Sequence, residues 1–156
     1  VQSSTNPLYL QKKCPIITYS NIPAYLIQNE LNAHLYSYVD ALGYSIDQLT
    51  YNFVSKEKLL EINQQFLQHH THTDIISFDY SKNKSLRAEF FISLWAVSQS
   101  AKESSQTIEN ETIRVIIHGL LHCLGYNDDT EMNKNEMRTL EDKFIETFHV
   151  KHKTHV

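Results

Sequence analysis

The chain is poor in the residues that break or staple structure. Its 156 residues include three glycines, three prolines and two cysteines. So little Gly and Pro leaves no room for a low-complexity linker, and the sequence gives no sign of a domain boundary. One domain spanning 1–156 is expected at this length. Cys14 and Cys123 fit no paired framework and no CxxC spacing, which argues against a disulfide scaffold and points to a reduced, cytoplasmic setting. Each is read as a small buried apolar residue. No stretch approaches the roughly 20 apolar residues of a membrane span, so no membrane partner is expected. An excess of positive charge is also missing: 14 basic against 18 acidic side chains give a net charge of −4. Proteins that coat nucleic acid nonspecifically are usually clearly basic.

What is present is apolar periodicity. Hydrophobic residues make up 41% of the chain, enough for a packed core without metal or disulfide support. Ile16–Tyr19 is a β-branched run and a predicted strand. Ala24–Leu42 has helical spacing and stops at Gly43. Leu49–Val54 alternates as a strand, and Ser55 is placed to cap a helix running to Phe66. His69–Thr73 is a polar loop. Ile75–Tyr80 and Ala88–Leu94 are strands joined by a turn at Ser81–Ser85. Val97–Ser104, Thr107–Leu124 and Glu131–Phe148 are helices, the last with Met132, Met137, Leu140, Phe144 and Phe148 on its inner face. Strands grouped with helices, without strict βαβ alternation, predict an α+β fold with a small mixed sheet of about four strands.

The chemistry concentrates in His118-Gly-Leu-Leu-His122-Cys-Leu-Gly125-Tyr-Asn-Asp128. Four residues on a helix bring two imidazoles to one side, about 6 Å apart along the axis. At about 100° per residue, Ile113, Ile116, Ile117, Leu120 and Leu124 share one arc. His118 and His122 lie nearly opposite, with Glu111 and Val115, and so face a cleft or solvent rather than the core. Glu111 is read as an exposed helix residue. Gly125 ends the helix, and the turn after it can return Asp128 to the helix end as a third ligand. Asp128 and Glu131 also fit a capping box for the last helix, and Asp129 is an alternative cap. Two His and a carboxylate suit one zinc per chain with an open position, where water becomes acidic enough to ionise near neutral pH. The zinc-protease motif HExxH would place a Glu at position 119, and Gly119 stands there.

This segment resembles the signature of the YbeY endoribonucleases, His-Gly-x-Leu-His-x-x-Gly-Tyr-Asp-His. Met137 and Glu141 fit the Met and acidic residue that follow in that family. Thr73-Asp74-Ile75-Ile76-Ser77-Phe78 and Ala88-Glu89-Phe90-Phe91-Ile92-Ser93 resemble two of its upstream segments. The resemblance covers roughly residues 55–148. It implies one zinc on His118, His122 and Asp128, and hydrolytic single-strand RNA cleavage by metal-bound water or a metal-polarised phosphodiester. It also implies small-subunit ribosomal RNA 3′ end processing and ribosome quality control. The implied partners are ribosomal RNA and the ribosome, with no DNA, and the chain is expected to be a monomer.

The third ligand in the family is usually His, so Asp128 makes the site one charge more negative and its zinc water less acidic. The family often carries Arg where Leu67 stands, so phosphate must be held elsewhere. Arg114 and Arg87 are candidates, each also readable as solvated surface. Thr73, Asp74 and Ser77 are candidate substrate or supporting contacts, readable otherwise as turn caps and ordinary strand alternation. Two other readings remain: another zinc hydrolase, and a non-catalytic metal-binding factor of the ribosome.

Overall fold

The computed structural model describes residues 16–66 and 73–152. Leu67, Cys14 and most of the loop expected at His69–Thr73 lie outside that range. Along the chain run β1 (Ile16–Ser20), α1 (Gln28–Ala41), β2 (Ser45–Val54), α2 (Lys56–Phe66), β3 (Ile75–Asp79), β4 (Ser85–Ser93), α3 (Leu94–Glu103), α4 (Ile108–Cys123) and α5 (Glu131–His152). The strands form one mixed sheet in the order β1-β2-β4-β3. β1 and β4 lie parallel to β2, while β3 is antiparallel to β4 at the edge. This is the α+β architecture expected from the sequence.

Alternation along the two central strands builds the core. Leu49, Tyr51 and Phe53 of β2 and Leu86, Ala88, Phe90 and Ile92 of β4 are all buried. With them pack Leu31, Leu35 and Val39 of α1, the apolar arc of α4, and Phe144, Ile145 and Phe148 of α5. A second cluster joins Leu59 and Ile62 of α2 to Ile76, with Val54, Phe78 and Phe91 against it. These sheet residues are the alternate positions, so α2 covers the opposite face. The helix that carries both histidines lies directly on the sheet at Gly119. A Cβ there would stand 2.9 Å from Ile75 Cδ1 and from the Phe90 ring. A side chain at position 119 would therefore point into packed atoms, which leaves no room for the protease Glu.

Several expected boundaries move, each for a local reason. The helix expected from Ala24 begins at Gln28, because residues after Pro23 form a turn closed by Leu26 N–H on the Pro23 carbonyl. β2 starts four residues early, and a register shift at Ile46/Gln48 breaks the alternation that would reveal it. Leu94 is not strand: Ser93 ends β4 and at once caps α3, accepting from Ala96 N–H. Ser55 caps α2 as expected, taking Lys58 N–H at 3.0 Å. Met132, expected on the inner face of α5, is 81% exposed, since it lies in the first turn before that helix reaches the core.

Candidate metal centre and its cleft

Thr107 opens α4 by accepting the Asn110 N–H. The five residues of the predicted apolar arc are all buried. The helix ends in a Schellman turn: Gly125 N–H bonds the His122 carbonyl and Tyr126 N–H the Leu121 carbonyl. Gly125 takes φ +100°, a conformation open to glycine at little cost. That reversal brings Asp128 back over the last turn of α4. The capping alternative for Asp128 and Asp129 does not hold. Thr130 caps α5, with its hydroxyl on Asn133 N–H, and Asp129 bonds the Asn133 side-chain amide.

His118, His122 and Asp128 converge on one point. The two Nε2 atoms are 3.2 Å apart, and Asp128 Oδ2 is 3.3 Å from each. Donors about 2.0–2.1 Å from a tetrahedral ion lie about 3.3–3.4 Å from one another, so this triangle has the size of one face of a zinc tetrahedron. The three side chains are 28%, 35% and 42% exposed, so the fourth direction is open to small molecules. The donor set therefore fits a divalent ion. Among the described residues, these three are the group of His, Cys, Asp or Glu that can hold a metal. Cys123, next in sequence to His122, packs against the core, and burial pushes its thiol up to about 12.

Behind the histidines lies a buried carboxylate. Glu141 of α5, 5% exposed, places Oε2 2.6 Å from His118 Nδ1. A proton on Nδ1 donated to Glu141 leaves Nε2 as a bare lone pair aimed at the triangle. This is the support that metal-ligating histidines usually have. The other Glu141 oxygen accepts from Arg114, whose guanidinium also meets Asp142 at 2.7 Å. Glu111 stands 3.4 Å from Arg114 Nε without hydrogen-bond alignment. Two sequence readings are corrected here. Glu111 is 6% exposed rather than a surface residue, and the Arg114 side chain is only 11% exposed, with its charge committed to three carboxylates. Packing of α5 along α4 buries both.

The cleft around this site has a volume of about 530 Å³ and runs between α3, α4 and α5. Asp74 lines it, together with Glu103 of α3 and Lys134 and Arg138 of α5. Of the other candidates, Thr73 hydrogen-bonds the Ile75 carbonyl as a turn residue, and Ser77 is an exposed position on β3 that does not line the cleft. Arg87 pairs with Asp47 on the surface, also away from it. Lys134 and Arg138 were missed from sequence. Their signal was their spacing with Met137 and Glu141, which sets all four on one stripe of α5.

Besides Arg114, three groups in this cleft hold protons more tightly than usual. Burial lowers the His118 imidazole, but the hydrogen bond and charge of Glu141, with Asp128 and Asp74, outweigh it and raise the net value above 6.5. Burial raises the Asp74 carboxyl, offset in part by His118, and raises Glu111 against the pull of Arg114 and Arg138. At these three groups the folded metal-free protein binds more protons than the unfolded chain, and the stability they contribute falls as pH rises, whereas His34, lowered by its burial, contributes in the opposite sense. The His118 contribution is complete below 6.5 and disappears as pH climbs through its raised value. The carboxyl contributions are lost similarly, starting from the ordinary carboxylate range. Metal must displace the His118 proton, so the stabilisation it brings has the opposite trend. Melts of chelator-treated and metal-loaded protein from about pH 6 to 8 should diverge, the gap between them widening, since the His34 contribution is common to both. Parallel curves would show that His118 carries no displaceable proton.

Fold and site together define a class: an α+β protein with a helix-borne candidate metal centre opening into a charged cleft. The family model described as Endoribonuclease YbeY matches residues 19–149. The chain belongs to the YbeY endoribonuclease family. An endoribonuclease YbeY from Flavobacterium psychrophilum is 42% identical over 104 residues, covering 67% of this chain and 74% of the relative. Another, from Cytophaga hutchinsonii, is 45% identical over 100 residues, covering 64% and 70%. The solution structure of a Thermotoga maritima protein aligns with a TM-score of 0.66 at 24% identity, over 90% of this chain and 93% of that one, and shows the shared fold. The family match begins upstream of the segment in which the resemblance was legible. No helix among the described residues is long and apolar enough to cross a membrane.

Proposed function

We propose that the chain is a zinc-dependent single-strand endoribonuclease of ribosomal RNA maturation, acting in small-subunit 3′ end processing and ribosome quality control. The observation that carries this reading is the triangle of His118 Nε2, His122 Nε2 and Asp128 Oδ2, with sides of 3.2, 3.3 and 3.3 Å, at the wall of an open cleft. Membership in a family named for RNA cleavage supplies the substrate class. His118, His122 and Asp128 would hold the ion. Bound there, it would supply Lewis-acid polarisation of a phosphoryl oxygen and acidification of water.

The protein's own residues do the rest. Glu141 holds the His118 ring in one tautomer and one orientation. Arg114 holds Glu141 in place, and so acts through the histidine rather than on the substrate. Backbone phosphate then falls to Lys134 and Arg138, one helical turn apart on the cleft wall. Among the described residues, neither makes an ion pair. Asp74 and Glu111 add negative charge that favours a cation and disfavours phosphate in the inner cleft, so the strand enters from the α5 side.

The test uses the full chain and a labelled single-stranded RNA. Cleavage should require a divalent metal and stop with chelator. Lys134→Gln and Arg138→Gln should each weaken RNA binding and reduce the slope of log affinity against log salt by roughly 0.7. Metal-dependent peptide cleavage with no action on RNA would instead favour another zinc hydrolase. Metal binding without any turnover would favour the non-catalytic ribosomal factor.

A further inference from the structure

The cleft does not end at the metal site. A second groove, of about 500 Å³, continues from it, with Asp74, Ser100 and Glu103 lining both. At its far wall stands Trp95, the only tryptophan in the chain, 46% exposed in the first turn of α3. The buried residues of α3 are Val97 and Ala101, and Trp95 stands outside that buried pair. Lys56, the first residue of α2, holds its ammonium 4.3 Å from the centre of the indole. An exposed aromatic is ordinary. One beside a cation, on the wall of a groove continuous with a nuclease cleft, has the parts of a single-strand nucleic-acid subsite.

We infer that Trp95, Lys56 and Gln99 form a subsite in which one unpaired RNA base stacks on the indole. The inference rests on the RNA-cleaving reading above and adds to it where the strand runs. Asp74 and Glu103 repel phosphate, so the backbone cannot lie along the groove floor. The same carboxylates accept hydrogen bonds from the amino and ring N–H groups of bases, and Gln99 both donates and accepts. The base edge therefore points inward and the phosphate outward, where the Lys56 ammonium can meet it. A duplex offers no free base face, so the subsite selects single-stranded RNA.

Because Trp95 is the sole tryptophan, its fluorescence reports the subsite directly. Short single-stranded RNA should quench it saturably, while inorganic polyphosphate, which carries charge but no base, should not. By anisotropy of labelled RNA, Trp95→Ala should bind roughly five- to a hundredfold more weakly, the range expected for loss of one stacked base. Trp95→Phe should stay within about threefold of the parent, since it keeps a ring. Equal affinity in Trp95→Ala with no quenching in the parent would overturn the subsite and leave RNA cleavage standing. Equal quenching by polyphosphate would overturn it as well, in favour of simple charge. RNA that neither binds nor is cut would overturn the subsite and the parent reading together.

Discussion

His118→Ala should abolish metal binding. The native chain should carry near one zinc when measured by mass spectrometry on untagged protein, and the variant close to none. Loss of a residue that only supports a ligand typically weakens metal binding 10–100-fold, so loss of a ligand should exceed roughly a hundredfold. The geometry explains why no neighbour substitutes. The remaining pair, His122 Nε2 and Asp128 Oδ2, is a single edge of the triangle, and Cys123 on the same helix turns towards the core with its thiol held protonated. RNA cleavage should fall in proportion to metal content. Metal retained at full stoichiometry in this variant would mean that the ion sits elsewhere. Absence of metal from the native chain, even with zinc supplied, would leave the two histidines as packing residues.

Glu141 has the second large effect, and two substitutions separate its two roles. Glu141→Gln keeps the shape and an acceptor for Arg114 but removes the charge behind His118. Metal affinity should fall 10–100-fold with only a small change in the melting temperature of the chelated protein. Glu141→Ala removes the acceptor for both His118 Nδ1 and the Arg114 guanidinium. Breaking a buried pair costs about 3–5 kcal/mol. Arg114 keeps Asp142 and Glu111, so the low end applies, about 3 kcal/mol, or roughly a 10 °C fall in melting temperature. Competition with a chromophoric chelator measures the first effect and a thermal melt the second. If Glu141→Gln binds zinc as tightly as the parent, the histidine does not depend on this carboxylate for its orientation.

Much of the site was legible in the residues because the signal is local. Four-residue spacing on a helix is geometry, and the arc of Ile113, Ile116, Ile117, Leu120 and Leu124 fixed which way the histidines face. Gly125 marked the turn for the same kind of reason: a positive φ is open to glycine and strained for most other residues. What the local pattern could not carry was anything requiring a second element. Asp128 had two uses of equal merit on spacing alone. The choice depended on Thr130 taking the cap, a matter of where the chain enters α5. Arg114 and Glu111 look like surface residues on an isolated helix, and only α5 lying along α4 buries them. Ser93 belongs to a strand and a helix at once, so its neighbours were assigned one element too late. Met132 has the spacing of the α5 stripe, but it stands ahead of the point where that stripe meets the core.

The amino-acid sequence by itself determined the element types, the candidate metal-ligating pair and the family, since each rests on short-range periodicity or on a motif read within one stretch of chain. Only the tertiary structure decided that Glu141 lies behind His118, that Arg114 is committed to carboxylates, and that the cleft lined by Lys134 and Arg138 adjoins the groove lined by Trp95. Those facts are distances between residues far apart in sequence. They arise from how α3 and α5 pack beside α4, which depends on the summed burial of many side chains rather than on any one of them.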